Sequence, residues 1–559
     1  MEVLDILPGL GDMLAALPVA YAMCEGGRMA TVRGRASATV PDATLPDIAD
    51  LPHLPLVGDA GEGQRWSLQA GWNWLEDPLR TACARVEAVL RTTPQTACLV
   101  EPVAEEGGRS GDVPTRLPRE YALVCGEGRY LAQAKALSEQ QLAAVRDALH
   151  GASMPVVRVG DAVGECGAQA DYDLRGKTSI RELCALVSGA AVVVSAETGL
   201  MHLAGAYSRP CVAIVPAGTK PVSTLRRYAP VIALEAARAG LVAEADIKRA
   251  VQAACRAARV RWAIVGGERE VCGVQETASR VAEAAGVECL LAGSGDPGEW
   301  AVVEYAHGLG GSLAGRDPEK TVISCHIWRE EMAGFPYVLF RGHAAYLEHQ
   351  TKHRWARYVP LPTLCNAAGP MLAPAKGGPV TFAWHGMVSW RKGLRELVAA
   401  FRVAQKQRAG LKLLLLGSYD APGCDGMLAC ELVQQEGDGL ECDFRPCWRN
   451  GELRNRLAAA DCYVYPDTID KEQSAAVADV LGFGRPVLTS ARTAHDDTRG
   501  WCWTMGADME QDLLAVIGEY EQFARRAWLG GSYRTADLIA RSYRAAVGQC
   551  VMDGWDGNG

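Results

Sequence analysis

Residues 173–216, DLRGKTSIRELCALVSGAAVVVSAETGLMHLAGAYSRPCVAIVP, decide the fold. Ser179 with Glu182 three residues later makes a capping-box pattern, and Ile180, Leu183, Cys184 and Val187 recur at helical spacing to give one apolar face. The run AAVVVSA then reads as a buried strand. It stops at Glu197-Thr198-Gly199, where LMHLAGAY opens a second helix, and CVAIV closes a strand-helix-strand crossover. In sheets built this way ligands bind at the carboxyl ends of the strands, and a helix N-terminus there offers free N–H groups and partial positive charge to phosphate. Glu197, Thr198 and Gly199 stand at that place.

The chain has 559 residues, too many for one sheet and enough for about four subdomains of this size. The same pattern recurs. At the amino terminus VLDILPGLGDMLAALPVAYAM reads as strand, glycine turn and helix. Gly9 and Gly11 allow a tight turn there, with Asp12 at the helix start facing the expected cleft. From Arg259 onward RVRWAIVGG is a strand ending in Gly266-Gly267, GVQETASRVAEAAG a helix and VECLLAG the next strand, and TVISCH carries a further strand to His326. LPTLCNAAGPMLAPAKGGP, rich in Pro, Gly and Ala, reads as a hinge. Beyond it the strands VTFAWHG, KLLLLGS, LECDFRP, CYVYPD and PVLTS alternate with helices, DGMLACELVQQEG and KEQSAAVADVLGFG among them. That alternation predicts a doubly wound parallel sheet. The expected division is 1–115, 116–250, 257–372 and 373–559, with 1–250 and 257–559 folding as separate units; residues 36–116 are Pro-rich and poor in periodicity.

The block ending at 216 resembles the heptosyltransferase-like family 9 glycosyltransferases. Their pattern is an acidic residue, Ser or Thr, Gly, then Met-His-Leu-Ala and a basic residue before Pro-Val. Glu197, Thr198, Gly199, Met201, His202, Leu203, Ala204, Arg209 and Pro210 fit it; Glu197 replaces the usual Asp, and Leu200 the usual Pro. The resemblance covers roughly residues 1–235. It implies a donor site at Gly11, Gly126, Glu197, Thr198, Gly199 and His202, with Asp12 as general base in an inverting displacement. Two bland readings stand beside these, Asp12 as a helix cap and His202 as a helix-packing residue.

Residues 259–550 resemble the family 4 glycosyltransferases through Gly386, Lys392-Gly393 and Gly484-Arg485-Pro486-Val487. Met387 stands where that family has Arg. Of its two glutamates, Glu472 falls one residue late and Asp479 takes the second place. The resemblance implies transfer with retention, in which Arg391 and Lys392 neutralise a diphosphate leaving group. Gly267, Gly386, Glu472, Gln473, Ser474 and Asp479 would hold the donor, and His326 a sugar or acceptor hydroxyl. Asp479 reads equally as a surface helix charge, His326 as a packing residue, and Arg391-Lys392 as a solvated turn. His385 beside Gly386 is also well placed, while His343 and His349 are weaker candidates.

Together the resemblances imply α/β architecture: two GT-B modules, each of two facing Rossmann-like doubly wound parallel sheets. The expected activity is transfer of sugar from a UDP-, GDP- or ADP-linked donor to a glycan, lipid-linked or modified-DNA acceptor. One alternative keeps the first module only as a binding scaffold for the second. Neither family needs a metal, and no cofactor beyond the donor substrate is expected. The 19 cysteines include no Cys-x-x-Cys pair, so Cys424, Cys430, Cys442 and Cys447 are not read as a metal site. A formal net charge of −9 argues against a broad grip on polyanions, leaving KHRWARY and WRNGELRNR as local basic patches. No apolar run reaches membrane-spanning length and the amino terminus is acidic, so a cytoplasmic protein is expected.

Overall fold

The computed structural model describes the backbone of residues 2–6, 30–34 and 65–67. It also describes residues 117–554 apart from 128–135, 161–169, 179, 218–229, 268–272, 292–299, 306–312, 314, 327, 368, 420–424, 447, 471–472, 493–494, 496 and 533. Strands β1 (Glu2–Ile6), β2 (Ala30–Gly34) and β3 (Arg65–Ser67) pair in parallel in the order β2-β1-β3. The glycine turn with Gly11 and Asp12 lies outside the described residues, as does Ser179 of the capping-box pattern.

The second sheet contains β4 (Ala122–Cys125), β5 (Val156–Arg158), β6 (Tyr172–Asp173), β7 (Val192–Ala196), β8 (Cys211–Pro216) and β9 (Val231–Ala236). Its helices are α1 (Glu139–Gly151), α2 (Ile180–Gly189), α3 (Gly199–Ala206) and α4 (Glu244–Arg259). The strands are all parallel in the order β6-β5-β4-β7-β8-β9, so the winding reverses between β4 and β7. Val192, Val193, Val194 and Ala196 are fully buried, as a strand covered on both faces requires.

In the third sheet β10 (Trp262–Val265), β11 (Glu288–Leu290), β12 (Trp300–Tyr305), β13 (Thr321–Cys325), β14 (Tyr337–Phe340) and β15 (Trp355–Tyr358) run parallel in the order β11-β10-β12-β13-β14-β15. Helices α5 (Gly273–Ala285) and α6 (His343–His349) belong to it. The fourth sheet holds β16 (Val380–Met387), β17 (Leu411–Ser418), β18 (Leu440–Arg445), β19 (Cys462–Tyr465), β20 (Val487–Thr489) and β21 (Trp503–Thr504), ordered β18-β17-β16-β19-β20-β21. Its helices are α7 (Leu394–Gln407), α8 (Gly426–Val433), α9 (Asn450–Leu457), α10 (Ala475–Leu481), α11 (Met509–Gly518) and α12 (Tyr520–Ser532). The architecture is thus α/β, with three parallel sheets of six strands each among the described residues.

Two helices are shorter than the sequence suggests. Ser474 takes extended backbone (φ −128°, ψ 105°) and α10 starts only after it, which leaves Gln473 and Ser474 on the approach to the helix. Helix α8 stops at Val433, because Gly437, Asp438 and Gly439 all adopt positive φ in the turn that follows.

The last helix, α13 (Ala536–Asp553), corrects the expected separation of halves. Sequence position groups it with the fourth sheet, yet Ile539, Tyr543, Val547 and Cys550 share a core with Trp262, Ile264 and Tyr337 of the third. On its other side Gln549 Oε1 accepts a 2.9 Å bond from the Val231 N–H, and Met552 joins the core of the second sheet. Twelve of its eighteen residues are buried, so the helix is covered on more than one side. Residues 251–256, left between the expected halves, lie inside α4, whose Val251 and Ala254 are buried.

The start of the expected hinge is also packed. A Cβ on Gly482 would lie 1.7 Å from the Cys365 carbonyl oxygen, and Arg534 clamps the crossover by accepting the Thr363 N–H at its carbonyl (2.8 Å). Its guanidinium reaches Asp497, which also accepts from the Tyr358 hydroxyl at 3.1 Å. Among the described residues no helix is long and apolar enough to cross a membrane.

Candidate active site

At the second sheet's switch point, the register of β4 on β7 sets Cys125 opposite Ser195 and so puts Gly126 at the same strand end as Glu197, Thr198 and Gly199. Thr198 caps α3: its hydroxyl accepts from the Leu200 N–H at 3.3 Å and lies 2.9 Å from Ser195 Oγ. The side chain of His202, within α3, lies outside the description. The neighbouring strand ends are occupied by charge. Glu127 Oε1 accepts from Arg158 at 2.9 Å and from Arg175 at 3.4 Å, and Arg175 is paired with Asp173 at 2.7 Å.

The third and fourth sheets meet through polar side chains. His326, just past β13, lies 3.5 Å through Nδ1 from Gln473 Nε2, which also donates to the His326 carbonyl at 3.3 Å. One helix away Arg280 of α5 bonds Asp479 of α10 at 2.9 Å, and Asp479 lies 3.4 Å from His385 Nε2. The Tyr465 hydroxyl holds the other ring nitrogen of His385 at 2.6 Å. Burial raises the Asp479 carboxyl, and Arg280 and His385 overcome this to hold it below its ordinary value. Beside them burial lifts Glu276 to about 7, with Arg280 opposing and Asp479 reinforcing the rise. Ser474 Oγ and Gln473 Oε1 are buried and make no hydrogen bond to the described protein.

The two expected cations part company. Lys392 Nζ sits 3.0 Å from Asp467, whose other oxygen lies 3.1 Å from the buried His495. Arg391 is exposed and stacks over Trp390 at 5.3 Å. Gly393 fixes Lys392 in place: its φ is +63°, and a Cβ there would come within 2.2 Å of the Pro466 carbonyl oxygen. Gly386 has φ +142° at the end of β16, and the Gly267 N–H is held by Gln275 Oε1 at 2.8 Å. Glu472 lies outside the described residues.

Behind His326 lies a buried network that the sequence reading missed. Glu304 Oε2 accepts from His326 Nε2 at 2.7 Å, while its other oxygen takes Arg341 at 3.2 Å and the Tyr543 hydroxyl. Arg341 also donates to Ser324 Oγ at 3.0 Å and to the Pro360 carbonyl at 2.7 Å. Burial raises the Glu304 carboxyl, but Arg341 and His326 prevail and bring it down to about 2. The signal was a lone acid inside the apolar strand WAVVEY. A carboxylate at a strand position covered on both faces needs a buried cation.

Other expected candidates serve packing. His349 stacks on Trp328 with ring centroids 4.2 Å apart, and the basic patches are paired locally through Arg354–Glu319 and Arg456–Glu441. No group of three or more His, Cys, Asp or Glu side chains that could hold a metal occurs among the described residues.

Residues 117–231 match the model of glycosyltransferase family 9 (heptosyltransferase). The chain therefore carries a segment of glycosyltransferase kind, in the second sheet. None of the curated proteins matches the chain. Among solved structures it is similar to the pneumococcal O-GlcNAc transferase GtfA in complex with UDP and GlcNAc, at 13% identity over 45% of this chain and 57% of that one, TM-score 0.35. It is similar to the E. coli ADP-heptose lipopolysaccharide heptosyltransferase II at 16% identity over 46% of this chain and 100% of that one, TM-score 0.30. AviGT4, a glycosyltransferase involved in avilamycin A biosynthesis, is similar at 14% identity over 78% of this chain and 99% of that one, TM-score 0.35.

Proposed function

We propose that the protein is a glycosyltransferase that takes its sugar from a nucleotide-sugar donor bound where the third and fourth sheets face each other. The observation that carries this reading is the meeting of His326 with Gln473 beside the unbonded Ser474 Oγ, at the ligand end of two parallel sheets. Lys392 meets the diphosphate. Its ammonium has three N–H donors, and the pair with Asp467 engages one, leaving two for phosphate oxygens. Negative charge grows on the leaving diphosphate as the glycosidic bond breaks, so a fixed cation there lowers the barrier. His326 donates Nε2–H to Glu304, which turns the Nδ1 lone pair toward Gln473 and toward a sugar or acceptor hydroxyl. Asp479, already held by Arg280 and His385, aligns the two sheets. The sequence resemblance to family 4, which no family model matches, implies that this transfer proceeds with retention.

The sequence resemblance to family 9 implies a second, inverting site in which Asp12 deprotonates the acceptor. Asp12→Asn then removes about a hundredfold to ten-thousandfold of that turnover, the span of general-base catalysis, while donor binding holds. Thermal shift against UDP-, GDP- and ADP-sugars tests the whole reading, since a donor that binds only the folded protein raises its melting temperature. Donors that stabilise the protein are then offered glycan, lipid-linked and modified-DNA acceptors. Failure of every donor to stabilise the protein would contradict the proposal.

A further inference from the structure

We infer that His495 is a positioning residue for Lys392 and acts through Asp467, a reading that rests on the diphosphate site proposed at Lys392. The three side chains come from the loops after β16, β19 and β20, which lie next to one another in the fourth sheet. Lys392 Nζ is 3.0 Å from Asp467 Oδ1, and His495 Nε2 is 3.1 Å from Asp467 Oδ2. Exposure falls along this row. The Lys392 side chain is 15% exposed, that of Asp467 2% and that of His495 not at all. Of the three, Lys392 is the one that can meet a diphosphate, so His495 acts on it through Asp467.

The loops have other bonds to hold their shape. The Thr468 N–H donates to the Arg391 carbonyl at 3.0 Å and the Ser490 hydroxyl to the Asp467 carbonyl at 2.8 Å, which tie the three loops together. The His495 carbonyl accepts from the Thr498 N–H at 2.9 Å and from the Thr498 hydroxyl at 3.1 Å. Neither ring nitrogen of His495 completes a hydrogen bond to the described protein; the contact with Asp467 has the distance of one without the angle. A buried imidazole left so costs stability unless a nearby charge offsets it. Asp467 is that charge. A carboxylate only accepts, so Nε2 carries the proton toward Oδ2. The positive end of this N–H offsets part of the potential that the carboxylate places on Lys392. The ammonium then turns its remaining donors to phosphate oxygens without breaking a full ion pair. Without His495, Asp467 competes with the diphosphate for the cation.

The test compares His495→Leu, which removes the N–H, with His495→Gln, whose amide N–H reaches the place of Nε2. His495→Asn, whose amide stops short of it, replaces the leucine variant if that one does not fold. Acylation of the full chain by acetic anhydride, followed by mass spectrometry, reads Lys392 directly against the exposed Lys412. Loss of the N–H should slow acylation of Lys392 about tenfold, the scale of a hydrogen bond to a charged group, and His495→Gln should restore it. The second readout is single-turnover release of nucleoside diphosphate from the UDP-, GDP- or ADP-sugar that stabilises the protein most, in the Asp12→Asn background. His495→Leu should slow release about tenfold with little change in donor affinity, and should add nothing once Lys392→Ala is present. A histidine that only packs would give additive losses that His495→Gln does not restore. Unchanged acylation in His495→Leu, or additive losses of rate, overturns the assignment. If no sugar nucleotide stabilises the protein, the proposed function fails, and acylation still decides whether His495 sets Lys392.

Discussion

The second sheet and the pair formed by the third and fourth use the same parallel winding, yet they spend their strand-end charges differently. In the second, Glu127 ties off Arg158 and Arg175 within one domain. In the other pair, Arg280 and Asp479 bridge two sheets, and Glu304 reaches back through His326 toward Gln473. The region with the matching family pattern is thus locally neutralised, and the region without such a match carries polar groups between domains. Motif and assembled site are separate properties, because the first is local in sequence and the second joins residues 147 apart.

The sharpest way to break this contrast is to remove one acid from each region. Glu304→Ala leaves Arg341 buried without its carboxylate and should cost about 3–5 kcal/mol of stability in urea unfolding, the range for breaking a buried pair. Glu127→Ala should cost less than half as much, since Glu127 is partly exposed and Arg175 retains Asp173. Equal losses would dissolve the distinction. Glu304 adds a pH signature. Its folded-state pKa is depressed from 4.5 to about 2, so its contribution is complete above 4.5 and is lost as pH falls through that window. Glu304→Gln should flatten the acid limb of the stability profile there.

A smaller effect comes from the backbone beneath Lys392. Gly393→Ala puts a Cβ against the Pro466 carbonyl in a left-handed conformation, and about 1–3 kcal/mol of strain should appear as a lower unfolding midpoint. An unchanged midpoint would mean the loop relaxes freely and does not hold the cation.

An effect confined to one range of pH is titration at the junction. Glu276 has a folded pKa raised from 4.5 to about 7, so the folded chain binds more protons in that interval and loses stability as pH rises through it. Glu276→Gln should therefore raise the melting temperature at pH 8 and leave it unchanged at pH 4. A uniform change at both would place Glu276 outside the Arg280–Asp479 junction.

Most of the fold was legible because it is written in short-range patterns. AAVVVSA, CVAIV and KLLLLGS are apolar runs bounded by turn residues, and each became a strand. The position of α13 was not legible, since an apolar helix states that it is covered without stating by what. The site was half legible. Gly386, Gly393 and His326 stand at strand ends or turns that pattern marks, whereas Arg280 reaches Asp479 across 199 residues of chain and Lys392 finds Asp467 only through the fold. Such pairs depend on how two domains face each other, which no local period encodes.

The central claim is that a sugar diphosphate lies against Lys392 between the third and fourth sheets. Single-turnover transfer and donor affinity, measured together for Lys392→Ala with the first site silenced by Asp12→Asn, test it most directly. The account predicts a large loss of rate with a much smaller loss of affinity, because the cation meets charge that develops in the transition state. Rate and affinity both left near wild-type values would contradict it.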